Sequence, residues 1–197
     1  MWIWRKIKKN FCKIDMNIWN VVNYIVFYMN DVSWKKGLKT RGKIRVSNDE
    51  GIIKIGENAC LNSAKWANSV GHGDSIWIQI MKNAQLIIGN NVGMSNVQIT
   101  CVNRIYIGNN VMIGAGTQIY DTDFHSINPS QRWELNYAKQ GPIIIEDNVF
   151  IGADVIILKG VSVGKGSVIG AGSVVTKSIP AGQIWGGNPA CFLKNVN

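Results

Sequence analysis

A six-residue repeat that keeps its phase over six consecutive copies constrains the fold of this chain more than any other feature. Every copy opens with an aliphatic residue, and these residues are Ile145, Ile151, Ile157, Val163, Ile169 and Val175. The residue four places later is β-branched or carries a hydroxyl group: Val149, Val155, Val161, Ser167, Ser173 and Ile179. A fixed short period of this kind is typical of a solenoid, in which repeats stack and cover one another's apolar faces.

The alternation of side chains along a strand indicates how one hexad is built. Residues two apart point to the same side, so Val155 and Ile157 face one way, as do Ser167 and Ile169. Two inward side chains per short strand suit a narrow prism with a core of stacked side chains. Glycines recur between these pairs and indicate tight corners. The alternative is an ordinary sandwich, but its strands have no reason to keep a common phase.

Earlier parts of the chain repeat the same hexad. Ile107 and Ile113 open two adjacent copies, and Ile55 and Ile88 open two more that stand alone. We therefore assign residues 47–197 to an all-β solenoid domain. The chain is long enough for a substantial core.

The positive charge of the chain is confined to its first part. Residues 1–46 contain eleven Lys and Arg residues against Asp15 and Asp31, which accounts for the whole net charge of +9. Residues 47–197 contain ten basic and ten acidic residues and are neutral. The solenoid surface is therefore not the basic surface expected of a nucleic-acid-binding protein.

The basic, Trp-rich segment 1–46 is expected to be partly helical. Apolar residues recur at helical spacing with lysines between them: Ile3, Ile7, Phe11, Ile14 and Ile18. Its apolar stretch is too short to span a bilayer, and no signal-peptide cleavage site follows. Two interpretations remain open: residues 1–30 form an amphipathic helix at a membrane surface, or the segment caps the open end of the solenoid. We expect a cytoplasmic protein, and the first interpretation would make it peripheral at the inner face of the membrane.

Cysteine and histidine content argues against a metal site. The four cysteines are far apart and lack metal-ligand spacing, so we expect reduced and mostly buried thiols: Cys12, Cys60, Cys101 and Cys191. A catalytic zinc site built from three histidines cannot form, because the chain has only His72 and His125. We expect His72, between two glycines, to be a turn residue.

The hexad rhythm breaks between Ile119 and Ile145, where a long loop, residues 120–142, leaves the scaffold. Loops of this length on a regular scaffold are usually functional. The loop contains His125 with Asp121 and Asp123 close by, and histidine is well suited to accept a proton near neutral pH. A neighbouring carboxylate can fix its tautomer. The alternative is a surface histidine on a loop without function.

Several motifs together resemble one protein family. They are the hexads, the loop sequence from Asp121 to His125, the run from Gly141 to Gly152, the run from Ile169 to Lys177, and Gly187-Asn-Pro-Ala190. From about residue 55 to residue 194 the chain resembles the hexapeptide-repeat acyltransferases, within the branch of maltose, galactoside and polysaccharide O-acetyltransferases.

The resemblance implies a left-handed parallel β-helix with three hexads per coil, and a homotrimer with active sites between subunits. It implies His125 as the general base that takes a proton from a sugar hydroxyl, which then attacks acetyl-CoA directly, without a metal. The implied cofactor-binding residues are Gly152, Ala153, Ala171, Gly172, Thr176, Lys177, Asn188, Pro189 and Lys194. Four loop residues are expected to contact the acceptor because they share the loop with His125: Tyr120, Asp121, Asp123 and Arg132.

Some positions depart from the family pattern. Ser126 follows the histidine where proline is common, and Cys191 stands where a basic residue usually follows Asn-Pro-Ala. Residues 1–46 do not resemble the N-terminal segment of the maltose and galactoside enzymes. This difference argues against a simple disaccharide acceptor, and we expect acetylation of a surface-polysaccharide precursor on a lipid carrier. The basic, Trp-rich N-terminus is the sole support for the lipid carrier. A small acceptor (an amino acid, an amino-sugar or an antibiotic) and a non-catalytic solenoid binding module are the alternatives.

Overall fold

The short strands of the chain form three mostly parallel sheets, and the backbone visits the sheets in the same order on each turn as far as Val175. The last two strands, Gln183–Gly186 and Cys191–Asn195, pair antiparallel with each other in one sheet. The computed structural model describes residues 2–64, 66, 68, 70 and 75–196. Strands from successive turns pair in parallel within each sheet, so that one turn stacks on the next. His72 lies outside the described residues.

Each sheet takes one strand from nearly every turn. Sheet A contains β1 (Val32–Trp34), β4 (Ile52–Ile55), β7 (Gln85–Ile88), β10 (Arg104–Ile107), β13 (Ile143–Ile145) and β16 (Ser162–Val163). Sheet B contains β2 (Lys39–Arg41), β5 (Cys60–Asn62), β8 (Gly93–Ser95), β11 (Met112–Ile113), β14 (Phe150–Ile151), β17 (Val168–Ile169), β19 (Gln183–Gly186) and β20 (Cys191–Asn195). Sheet C contains β3 (Ile44–Asn48), β6 (Ile76–Ile80), β9 (Gln98–Cys101), β12 (Gln118–Tyr120), β15 (Ile156–Leu158) and β18 (Val174–Val175).

The inward pairs predicted from the hexads form the core. Val155 and Ile157 are fully buried, and so are Ser167 and Ile169. Parallel register places Ile157 beside Ile119 on one side and Val175 on the other, so aliphatic side chains stack along the prism. Burying one such side chain contributes about 1.5–3 kcal/mol relative to leaving it exposed.

Asparagine shapes the corner between sheets A and B. Asn58, Asn91, Asn110 and Asn148 all have left-handed φ angles of 56–61°. Their side-chain amides form a ladder from turn to turn, with N···O distances of 3.0–3.3 Å. Asparagine tolerates this conformation better than other residues with a side chain. It therefore occupies the corner position at which other hexads have glycine.

The N-terminal helix α1 (Trp2–Met29) packs on the first turn of the solenoid. Asn23 is buried, and its side chain donates to the carbonyl oxygen of Gly42 (2.9 Å) and accepts from the amide of Ile44 (3.0 Å). Phe27 is also fully buried. The first turn, β1 to β3, begins before residue 47, where the sequence placed the start of the solenoid. No helix in the described part of the chain has the length and apolarity that a membrane crossing requires.

Two connections are much longer than the corners. Residues 63–75 join β5 to β6, and residues 121–142 join β12 to β13. Tyr120, which the sequence placed in the long loop, is the last residue of β12.

The cysteines are free, as predicted, but the expectation that most are buried is wrong. Cys101 is buried, Cys191 is exposed, and Cys12 and Cys60 are intermediate.

Candidate active site

The long loop is closed at its base by backbone hydrogen bonds. Thr122 and Gln140 form an antiparallel bridge, and the amide of Asp123 donates to the carbonyl oxygen of Lys139 over 2.9 Å. The Lys159 ammonium group, which follows β15 on the next turn, lies 2.6 Å from a carboxylate oxygen of Asp123. Both side chains are about 30% exposed, so this ion pair is partly shielded from water and fixes the loop on the scaffold.

His125 is exposed, and its imidazole ring is held by the loop itself. Its Nδ1 atom lies 2.9 Å from the backbone carbonyl oxygen of Arg132. A carbonyl oxygen only accepts hydrogen bonds, so Nδ1 carries the proton in this contact. In the neutral ring Nε2 then has a free lone pair and can accept a proton. The backbone amide of His125 also donates to the carbonyl oxygen of Asp123 over 2.7 Å.

Within the chain the ring of His125 is oriented by a carbonyl group rather than by a neighbouring carboxylate. The Asp123 carboxylate pairs with Lys159, and the partner of the histidine ring is the Arg132 carbonyl group. A peptide carbonyl fixes the tautomer as a carboxylate does, without adding a negative charge beside the ring.

Asp121 does not face an acceptor. Its side chain is fully buried, and its two carboxylate oxygens accept hydrogen bonds from the amides of Val102 and Asn103, each at 2.8 Å. The expected acceptor contact at Asp121 is wrong because both oxygens are occupied inside the protein. Burial, followed by the neighbouring Asp121 charge, raises the pKa of the Cys101 thiol well above its ordinary range, so this thiol stays neutral.

The Arg132 side chain also binds the loop. Its guanidinium group donates to the carbonyl oxygens of Ser126 (3.5 Å) and Ile127 (3.1 Å). Arg132 therefore shapes the turn after His125 through its side chain and orients the histidine through its carbonyl group.

A small groove lies beside the loop on the outer face of sheet C. It has a volume of about 190 Å³ and is lined by Trp77, Gln79, Gln98, Ile99, Thr100, Tyr120 and Phe124. Phe124 has a left-handed φ of 61°, which is uncommon for a residue with a large side chain. Its ring packs edge to face against the ring of Tyr120, with 5.3 Å between the ring centroids. Burial raises the pKa of Tyr120, whose hydroxyl donates to Gln118 over 2.8 Å.

A larger cavity of about 390 Å³ lies on sheet B and reaches the corner between sheets B and C. Gly93 lies in its wall, and a Cβ atom there would meet no heavy atom within 4 Å. Met112 and Phe150 continue the same row of outward side chains. The corner residues Gly152 and Ala153, two of the expected cofactor-binding residues, line the cavity.

The other expected cofactor-binding residues lie further along the solenoid. Ala171 and Gly172 occupy the same corner one turn later, and the Gly172 amide donates to the carbonyl oxygen of Ala153 over 2.8 Å. Asn188 and Pro189 lie between β19 and β20, in a turn that bonds to Val174 beside this corner. Three exposed residues are not among the cavity-lining residues: Thr176, Lys177 and Lys194.

His125 and the larger cavity belong to different corners of the prism. The loop of His125 leaves between sheets C and A, whereas Gly152 and Ala153 lie between sheets B and C. The chain by itself therefore does not bring the histidine and the cavity together at one corner. Among the described residues, no cluster of three or more His, Cys, Asp or Glu side chains could hold a metal ion.

Sequence reasoning found Gly152, Ala153 and Tyr120 but missed the other residues that line the two concave surfaces. Trp77, Gln98 and Gly93 stand in ordinary strand positions, and only parallel register between turns brings them beside Phe124 or Phe150. A search for outward-facing aromatic residues at matched positions of successive turns could have found Trp77.

Comparisons with known proteins agree with this architecture. Residues 142–177 match a family model described as the hexapeptide repeat of succinyl-transferase. The chain is 36% identical over 145 residues to a galactoside O-acetyltransferase from Lactococcus lactis subsp. lactis, an alignment that covers 73% of this chain and 63% of the relative. The chain thus spans less than two thirds of that relative's length.

Two solved structures have a similar fold. A maltose O-acetyltransferase from Clostridium difficile 630 has 24% sequence identity and a TM-score of 0.54, with 95% of this chain and 86% of that chain covered. A variant of the N-acyltransferase AntD from Bacillus cereus, in complex with dTDP and coenzyme A, has 20% identity and a TM-score of 0.67, with 90% and 88% covered. The predicted left-handed parallel β-helix is confirmed, and so is the resemblance of the chain to the hexapeptide-repeat acyltransferases.

Proposed function

We propose that this protein is an acetyl-CoA-dependent O-acetyltransferase that acts on a saccharide hydroxyl, with His125 as the general base. The observation that carries the proposal is the contact between His125 Nδ1 and the Arg132 carbonyl oxygen. It leaves Nε2 as the proton acceptor of the neutral ring, on an exposed loop that is anchored to the scaffold. The similarity to a galactoside O-acetyltransferase supports the reaction class.

The reaction proceeds by direct transfer between two bound substrates. His125 Nε2 takes the proton of the acceptor hydroxyl while the hydroxyl oxygen attacks the thioester carbonyl carbon. The tetrahedral intermediate collapses, the carbon–sulfur bond breaks, and the imidazolium returns its proton to the departing thiolate. The products are an acetyl ester and coenzyme A. Placement of the two substrates and removal of the proton supply the rate enhancement.

In this proposal the larger cavity holds the acetyl and pantetheine end of the donor. Its wall carries the small residues Gly93, Gly152 and Ala153, so the thioester can approach the backbone closely. The donor then continues along the same corner past Ala171 and Gly172. The exposed Lys177 and Lys194 supply positive charge for the phosphates of the nucleotide.

The complete site forms between two chains of a homotrimer. Because His125 and the cavity lie at different corners of one prism, a second chain brings its loop to the cavity of the first. A complementation experiment tests this arrangement: the His125→Ala and Gly93→Leu variants are mixed so that their subunits exchange, and thiol release is assayed at an acetyl-CoA concentration below the wild-type KM, where each variant alone is much less active than wild type. Activity of the mixture rises above the mean of the two variants if sites are shared between chains, and it equals that mean if each chain holds a whole site.

The acceptor lies in the groove that Trp77, Tyr120 and Phe124 line with glutamine and threonine side chains. Aromatic faces pack against the apolar face of a sugar ring, and amide groups bond to hydroxyls, so the groove suits a saccharide. We propose a surface-polysaccharide precursor on a lipid carrier. The basic, Trp-rich N-terminal segment supports the lipid-linked part of this proposal.

A panel assay tests the function. Free thiol released from acetyl-CoA is measured with monosaccharides, disaccharides, lipid-linked glycans, amino-sugars and amino acids. We expect release that depends on a saccharide and a product whose ester is cleaved by mild base. Transfer to an amino group would assign a small-acceptor N-acyltransferase instead. Absence of both acetyl-CoA binding and thiol release would favour a non-catalytic binding module.

A further inference from the structure

Helix α1 has one face that binds the solenoid and one face that is exposed to solvent. Polar side chains fasten it to the solenoid: Asn20 and Asn23 both bond to the buried Thr40, at 2.7 and 3.1 Å. The opposite face is apolar and open to solvent. Its residues are Ile14, Ile18, Val21, Ile25 and Tyr28, which are 54–81% exposed.

The spacing of the exposed residues makes a continuous stripe. Ile14, Ile18, Val21, Ile25 and Tyr28 follow one another at steps of four and three, so their side chains lie along one line of the helix. Val22 and Met29, which are 37% and 75% exposed, widen the stripe. An apolar strip of this length on an isolated surface indicates an interaction site.

The stripe points away from the body of the protein. Helix α1 contacts the first strand of each of the three sheets, so it lies across the open end of the solenoid. The Asp15 carboxylate also accepts a hydrogen bond from Trp66 Nε1 at 2.8 Å, which fastens the helix to the connection between β5 and β6. The exposed stripe is thus the outermost surface at this end.

Positive charge is concentrated at the end of the molecule that carries the stripe. The eleven Lys and Arg residues of segment 1–46 are all in α1 or in the first turn of the solenoid. Five of them are exposed on the first turn: Lys35, Lys36, Lys39, Lys43 and Arg45. The remaining 151 residues, 47–197, carry no net charge. An apolar strip at the same end of the molecule as a cluster of cations matches the acyl and headgroup layers of an anionic bilayer.

We propose that this end of the molecule docks on an anionic membrane surface, with α1 parallel to the bilayer and its stripe among the lipid acyl chains. A second copy of the chain fits the same surface poorly. Two such ends facing each other would bring together two sets of cations with only Asp15 and Asp31 to offset each set. The membrane has the opposite charge and offers an apolar layer at the right depth.

Vesicle flotation tests the proposal with the full chain. The probes are vesicles of phosphatidylcholine alone and of phosphatidylcholine mixed with phosphatidylglycerol. The test variant carries Ile18→Gln, Val21→Gln and Ile25→Gln, which remove apolar surface and leave the net charge unchanged. The control variant carries the same substitution at three exposed apolar residues elsewhere: Ile127, Ile144 and Leu193. Circular dichroism at 222 nm verifies that α1 remains helical.

We expect wild type and control to float with the anionic vesicles and to dissociate as salt is raised. The test variant should bind about tenfold or more weakly. Equal flotation of test and control variants, or no flotation of wild type, would overturn the proposal. A wild-type mass twice that of the test variant by sedimentation, without vesicle binding, would assign the stripe to self-association instead. None of these readouts depends on acetyl transfer.

Discussion

The imidazole Nδ1 of His125 lies 2.9 Å from the backbone carbonyl oxygen of Arg132, seven residues later in the same loop. This contact selects the tautomer that leaves Nε2 unprotonated, and it does so without a charged partner. The loop that carries it is itself fastened to the next turn through Asp123 and Lys159. The orientation of the histidine is therefore a property of the loop backbone and its anchor.

Asp121 should matter for stability rather than for acceptor binding. Asp121→Ala removes the buried carboxylate that accepts hydrogen bonds from the amides of Val102 and Asn103, which should lower the free energy of unfolding by about 3 kcal/mol. For a chain of this size that corresponds to a fall in Tm of about 6–12 °C. Thermal unfolding followed by circular dichroism measures it. An unchanged Tm with a raised KM for the acceptor would restore the contact that the sequence suggested.

The Lys159 ion pair should position the loop for catalysis. Lys159→Met frees Asp123 and should lower kcat about tenfold, since small displacements of a catalytic group are costly, with little change in coenzyme A affinity. Lys82→Met is the matched control, because Lys82 lies at the same 2.6 Å from Glu50 but in a more exposed pair. Steady-state kinetics measures kcat for both variants. An equal fall in kcat in the two variants, or an unchanged kcat in both, would contradict this role.

Gly93 offers a way to fill the larger cavity without disturbing the backbone. Gly93→Leu should raise the KM for acetyl-CoA about tenfold, because the side chain would occupy space proposed for the thioester end of the donor. Gly93→Ala should have a much smaller effect, and neither should lower Tm appreciably. An unchanged KM for acetyl-CoA in Gly93→Leu would show that the donor binds elsewhere.

Trp77 should contribute to acceptor binding. Trp77→Ala removes an aromatic face from the groove and should raise the KM for the saccharide about tenfold, with the KM for acetyl-CoA unchanged. Trp77→Phe keeps an aromatic face and should recover most of the affinity. Initial rates at varied acceptor concentration provide the measurement. A rise in the KM for acetyl-CoA instead would assign this groove to the donor.

The core of the solenoid could be predicted from the sequence because its period is local. Val155 and Ile157 are buried, and the equivalent positions of the other hexads also point inward. Each hexad can be recognised from its own six residues, without knowledge of which strands pair with it. The first turn escaped detection because its inward residue Thr40 is polar. Its hydroxyl is satisfied by Asn20 and Asn23 of α1, so an aliphatic side chain is not required there.

The site was only partly predictable. His125 stands out because it interrupts a regular pattern, but the partner of its ring is the Arg132 carbonyl group, and every residue has a carbonyl group. The groove joins Trp77 to Phe124 through the register of successive turns, for which no local pattern exists. Asp121 looked functional because it lies near His125, whereas its burial depends on the turn before it.

The rate of acetyl transfer by His125→Ala tests the proposed mechanism most directly. Thiol release is measured for wild type and variant with the best saccharide of the panel, and coenzyme A affinity is measured in parallel by calorimetry. The mechanism predicts a loss of about 10²–10⁴-fold in kcat with unchanged coenzyme A affinity, because only the proton acceptor has been removed. Equal kcat values in the two proteins would contradict a catalytic role for His125.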